Sequence, residues 1–148
     1  MKITGGIINM TINVTKTFTF DAAHNIPEHS GLCKNLHGHT YLLEVTLLGE
    51  DNSLDRKGML LDFGELKRLI NHLVVDKWDH SVLIYPQTDF EKDLVYLLNK
   101  HDRRVIVFDK VPTAENMAIE IKKTLEKYIR AKFRVKLYET PTSFAEVE

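Results

Sequence analysis

A single cysteine, Cys33, excludes an internal disulfide, so this chain must hold itself together by its core, and a reducing compartment is expected. Four prolines and seven glycines are scattered, leaving no Pro/Gly-rich linker. No repeat or low-complexity tract interrupts the chain, and residues 1–148 read as one domain. Charge of one sign is also missing. Twenty basic residues balance 21 acidic ones, so no global field draws the chain to nucleic acid or a membrane surface. No apolar run approaches the roughly 20 residues of a membrane span. The opening "MKITGGIINM" has too short an apolar stretch for a secretory signal. Residues 1–10 read as a loose extension before a core of 11–140, with Met10 an alternative start. A cytoplasmic location is expected.

What is present is ordinary globular composition, 43% hydrophobic and 28% charged. In "TINVTKTFTFDAAH" (11–24), Ile12, Val14, Phe18, Phe20 and Ala22 alternate with polar residues, the period of a strand with one buried face. A second strand, "HGHTYLLEVTLLGE" (37–50), alternates through Tyr41, Leu43, Val45 and Leu47. "LDFGELKRLINHLVVDKW" (61–78) has helical spacing, with Asp62 placed to cap it. A short helix is expected over 90–101, a short strand over 105–108 and a helix over 114–132, with Thr113 as its N-cap. "FRVKLYET" (133–140) alternates again, and "SFAEVE" (143–148) reads as a last edge strand. This order argues for an α+β fold, an antiparallel sheet with helices packed on one face.

Three histidines continue the apolar faces of the first two strands. His24 ends the first, while His37 and His39 start the second. If these strands pair antiparallel, the three imidazoles meet. A lone His-x-His is a weak signal, and phase is what strengthens this one. Three neutral imidazoles with one open position describe a catalytic zinc site, where the ion serves as a Lewis acid or acidifies a bound hydroxyl. His29, His72 and His101 lack this support and read as surface residues.

Cys33 lies in the intervening loop, and three readings stay open. It is a fourth ligand closing a structural site, a thiol beside the open position, or a small buried hydrophobe. Asp79 and His80 suit proton transfer, and equally suit a helix C-terminus. Glu139 has apolar parity, so its carboxylate must reach solvent or find paired donors. A ligand with two adjacent N–H groups would satisfy it.

Together "FDAAH", "CKNLHGH", "LDFGELK" (61–67), "WDHSVL" (78–83), "PTAENMA" (112–118) and "YET" (138–140) resemble, in order, the 6-pyruvoyltetrahydropterin synthase family. More closely, the chain resembles its bacterial and archaeal 6-carboxy-5,6,7,8-tetrahydropterin synthase branch, of the queuosine (7-deazaguanine) pathway. The resemblance implies the tunnelling fold, a four-stranded antiparallel sheet with helices on one side. Subunits of that fold join edge to edge into barrels, as homo-oligomeric trimers or hexamers with active sites between subunits. It implies Zn2+ on His24, His37 and His39, and Cys33 as general base with His80 and Asp79 as relay. Glu139 would anchor the pterin ring, with Thr113 and Glu115 also on the substrate side. The implied substrate is 7,8-dihydroneopterin triphosphate, cleaved to 6-carboxytetrahydropterin, acetaldehyde and triphosphate. The three residues between Cys33 and His37 resemble the carboxy branch; the pyruvoyl branch retains the side chain. A non-catalytic zinc or pterin-binding module is the alternative of another class, but such a module needs no proton relay. One departure stands out: segment 82–111 is longer than in compact bacterial members.

Overall fold

The alternating stretches fold as strands because each has one apolar face to bury. In the computed structural model, which describes residues 9–148, β1 (Thr11–His24) and β2 (His37–Glu50) pair antiparallel along their full lengths. Most of the expected extension, residues 1–8, lies outside the described residues. Asp62 caps α1 (Phe63–Ile70), accepting from the amides of Gly64 and Glu65 at 2.8 and 3.1 Å. The helix continues through a wide turn, Asn71–Val75, into α2 (Asp76–Trp78). β3 (Ser81–Ile84), α3 (Asp89–Lys100) and β4 (Val105–Val107) follow, then α4 (Ala114–Glu126), β5 (Phe133–Thr140) and β6 (Ser143–Val147).

The expected four-stranded antiparallel sheet is corrected. Six strands lie in the order β4-β3-β1-β2-β5-β6. The run β1-β2-β5-β6 is antiparallel, and β3 and β4 add in parallel beside β1. β3 escaped the pattern because it is four residues of "SVLI", three of them fully or nearly buried, with no alternation to read. α4 closes at Glu126 rather than running to 132, and Tyr128, which continues the apolar spacing of that helix, is exposed beyond its end.

The core sits between one sheet face and the helices. Tyr41 stacks on Phe20 with ring centroids 5.2 Å apart, and Trp78 meets Phe20 edge-on at 5.9 Å. Met117, Ile121 and Leu125 of α4 are fully buried. Burying each such side chain contributes about 1.5–3 kcal/mol, which makes the sheet end behind Tyr41 a stiff platform. No helix among the described residues is long and apolar enough to cross a membrane.

Candidate metal centre and acid–histidine pair

The β1–β2 register places His24 directly opposite His37, and Ala22 opposite His39. All three imidazoles therefore rise from one face of adjacent strand ends. Gly38 between them is required by that closeness, since a Cβ there would lie 3.0 Å from the carbonyl oxygen of Ala22. Glu139 joins from β5, at a register shift between Tyr138 and Thr140. Bulges of this kind re-aim a side chain. Ligand atoms of His24, His37, His39 and Glu139 all lie within 4.8 Å of one another.

Backbone carbonyls set the tautomers of two rings. His24 Nδ1 lies 2.7 Å from the carbonyl of Pro112, and His37 Nδ1 lies 2.7 Å from that of Asn35. A carbonyl only accepts, so both Nδ1 atoms donate, and a neutral ring then turns a bare Nε2 lone pair inward. The two Nε2 atoms face each other at 3.2 Å. Glu139 Oε1 stands 3.1 Å from His24 Nε2 and 3.1 Å from His39 Nε2. His39 Nε2 is buried and poorly aligned for any hydrogen bond among the described residues.

Protonation states agree with this arrangement. Burial holds the His39 imidazole below its usual range, and His24 and His37 add to that against the opposing pull of Glu139. Contact with His24 holds the Glu139 carboxyl low despite burial. Beneath them, burial pushes the Tyr41 phenol far up, and Glu139 pushes the same way, so Tyr41 stays a neutral hydroxyl. Three imidazole nitrogens and a carboxylate converging this closely form a donor set suited to a divalent cation. Nitrogen and oxygen donors on tetrahedral zinc, about 2.0–2.1 Å from the ion, stand about 3.3 Å apart, so the residues present fit zinc.

Cys33 stands outside this donor group. It lies half-buried in a short turn, Leu32–Lys34, and its carbonyl accepts the Ile26 amide at 2.9 Å. Within ligand distance of the imidazoles it is Glu139, not the thiol, that supplies a fourth donor. Thr113 caps α4, accepting from Asn116 at 3.3 Å, and Glu115 is exposed on its first turn.

Asp79 and His80 form a second group, with Asp21. His80 Nδ1 lies 2.9 Å from Asp79 Oδ2. The turn is held by a double clamp: the Asp21 amide donates to Asp79 Oδ1 at 2.8 Å, and the His80 amide donates to the Asp21 carbonyl at 2.7 Å. His80 sits at φ 57°, a left-handed conformation that costs a non-glycine residue about 1–2 kcal/mol. Arg104 braces the same turn from beyond β3, donating to the carbonyls of Asp76 and Lys77 at 2.6 and 2.9 Å. The Asp21 amide, then His80, hold the Asp79 carboxyl below its usual range. Asp21 and His24 have opposite parity on β1, so their side chains point to opposite sides of the sheet, while Asp79 and His80 reach Asp21 through its main chain. Asp21 was missed because its parity is that of a solvated strand face, and Tyr41 because it counts as core.

Fold and donor set define a class: a mixed sheet that carries three imidazoles and a carboxylate at one set of strand ends, with an acid–histidine pair bonded to the main chain of β1 nearby. The chain belongs to the 6-pyruvoyl tetrahydropterin synthase family, whose model matches residues 13–148. It is 37% identical over 138 residues to the 6-carboxy-5,6,7,8-tetrahydropterin synthase of Haemophilus influenzae, covering 91% of this chain and 97% of that protein. A crystal structure of an uncharacterized protein from Wolinella succinogenes superposes with a TM-score of 0.79 at 21% identity, over 93% of this chain and 98% of that one. The Caenorhabditis elegans 6-pyruvoyl tetrahydropterin synthase superposes with a TM-score of 0.66 at 25% identity, over 96% of this chain and 99% of that one.

Proposed function

We propose that this chain, a single domain, is a zinc-dependent lyase. It converts 7,8-dihydroneopterin triphosphate and one water into 6-carboxy-5,6,7,8-tetrahydropterin, with release of acetaldehyde and triphosphate, in queuosine biosynthesis. The observation that carries this reading is the pair of inward Nε2 atoms 3.2 Å apart, each fixed by a backbone carbonyl, beside an ionised Glu139. Family membership and the name of the Haemophilus relative support the substrate class.

His24, His37 and His39 hold the ion, which when bound supplies Lewis acidity to the substrate's side-chain oxygens. Glu139 accepts from the pterin amino and ring N–H groups, a two-donor edge that suits a carboxylate. Thr113 and Glu115 stand on the same substrate side. Cys33 takes a proton from the side-chain carbon. His80, oriented by Asp79 through a 2.9 Å contact, moves a proton at Nε2. Subunits assemble into a homo-oligomer with active sites between copies, where the relay of one copy meets the donors of another.

Incubating the zinc-loaded protein with 7,8-dihydroneopterin triphosphate and identifying the products tests this. Acetaldehyde and a 6-carboxypterin are expected. A product that keeps its side chain would instead assign the pyruvoyl reaction. Unchanged function in Cys33→Ala and His80→Ala would reduce the chain to a binding module.

A further inference from the structure

α3 presents Phe90, Tyr96 and Leu97 to solvent, and the one residue it buries fully is a carboxylate, Glu91, 2% exposed. A carboxylate taken out of water is costly unless donors reach it. Glu91 has three. Thr88 gives its amide at 2.9 Å and, in a short contact, its hydroxyl, which together form an ordinary helix cap. The third donor is Asn25 Nδ2 at 2.7 Å, from 66 residues away. A cap does not need it. Asn25 is 1% exposed and follows His24 directly, and its own Oδ1 has no partner among the described residues. Leaving that oxygen unmatched means the side chain is held by Glu91.

Asn25 opens the loop that carries Cys33. The next amide, Ile26, donates to the Cys33 carbonyl at 2.9 Å and closes the loop base. A second tether repeats the arrangement, with Gln87 Nε2 donating to Glu28 Oε1 at 2.9 Å. Between loop and helix lies a cleft of about 350 Å³ lined by Pro27, Lys34, Leu36, Phe90 and Glu91 among others.

We infer that Glu91 is a positioning residue: through Asn25 it fixes the base of loop 25–36 and thereby the stance of the Cys33 thiol that this loop carries. Segment 82–111 is then a brace for the reactive loop. The catalytic consequence rests on the role proposed for Cys33; the loop contact itself does not.

Cys33 is the sole cysteine, so a thiol reagent reads this loop alone. In the zinc-loaded full chain, Asn25→Ala and Glu91→Ala should raise the alkylation rate by iodoacetamide about tenfold, as expected for a loop that has lost a charge-assisted hydrogen bond. They should lower kcat by about 10- to 100-fold, with KM within about twofold and zinc content unchanged. Thr88→Ala removes half of the cap, so it should lower the melting temperature yet leave the alkylation rate at the wild-type value. Glu91→Gln keeps an acceptor for Asn25 and should restore near-normal alkylation, and it carries the test with Asn25→Ala if Glu91→Ala does not fold. Wild-type alkylation in folded Asn25→Ala, or equal acceleration by Thr88→Ala, would overturn the inference. A wild-type protein with no pterin turnover would sink the proposed reaction while the order of alkylation rates still judged the brace.

Discussion

Replacing His39 should cost the protein its metal, and replacing Cys33 should not. The pairs His24–His37, His24–Glu139 and His39–Glu139 already stand 3.1 to 3.2 Å apart, within about 0.2 Å of the edge of a tetrahedron around zinc, and all four donors lie within 4.8 Å of one another. Little rearrangement is then charged against binding. Structural zinc contributes about 10–16 kcal/mol over four ligands, or about 3 kcal/mol per donor. Loss of one imidazole in His39→Ala should weaken the ion by a factor on the order of 100. Cys33 is not in the donor group, and its turn buries no residue, so Cys33→Ala should cost nothing in metal and less than about 1 kcal/mol in stability. The assay is zinc stoichiometry after equilibration with a graded chelator, paired with a melting curve. Retained zinc in His39→Ala would refute the donor assignment. Zinc loss in Cys33→Ala to the same degree would make the thiol a ligand and remove it as the base.

Three further outcomes are expected. Gly38→Ala pushes a Cβ against the Ala22 carbonyl, 3.0 Å away; strand separation at the His24–His37 pair should lower metal affinity by about 10-fold or more, the scale of a disturbed ligand support, as read by chelator competition. Asp79→Asn loses the ionised acceptor that orients His80; kcat should fall by about 10²-fold, the scale of a lost proton-transfer partner, with zinc retained. Glu91 is held below its usual 4.5 by Thr88 and Asn25 despite burial. Its contribution to stability is therefore complete above about pH 4.5 and lost as pH falls through the lower folded value, because the unfolded chain takes up the proton first. Glu91→Gln should flatten that acid limb in a pH series of melting curves, and an unchanged limb would contradict it.

How far the sequence could be read depended on whether a residue's neighbours were local. β1 and β2 were legible because alternation fixes both face and register, and the meeting of His24 with His37 follows from that register alone. Glu139 showed itself as a charge on an apolar stripe. β3 did not show, since four consecutive residues packed in parallel carry no period and its partner Ala22 is 59 positions from Ser81. The end of α4 was misread because Tyr128 and Ile129 continue helical spacing past the turn at Lys127, and only Ile129 is buried. Asp21 and Glu91 were invisible for another reason. Each is an ordinary polar residue whose meaning lies in distant partners, Asp79 for one and Asn25 for the other.

The two faces of β1 give a last test. Asp21 and His24 are three residues apart on a continuous strand, so they point to opposite sides of the sheet. Asp21 holds Asp79 and His80 by main-chain bonds rather than through its side chain. The proposed assembly, with sites between copies, draws the donors from one chain and the relay from another. A site shared in this way permits complementation. His39→Ala keeps the relay but loses a donor, and His80→Ala keeps the donors but loses the relay. When the two are refolded together, random mixing gives an intact donor face beside an intact relay in about a quarter of shared sites. Activity should therefore return to about a quarter of wild type from two inactive parents. If every site lay within one chain, mixing would restore nothing, and the mixture would be as inactive as either variant.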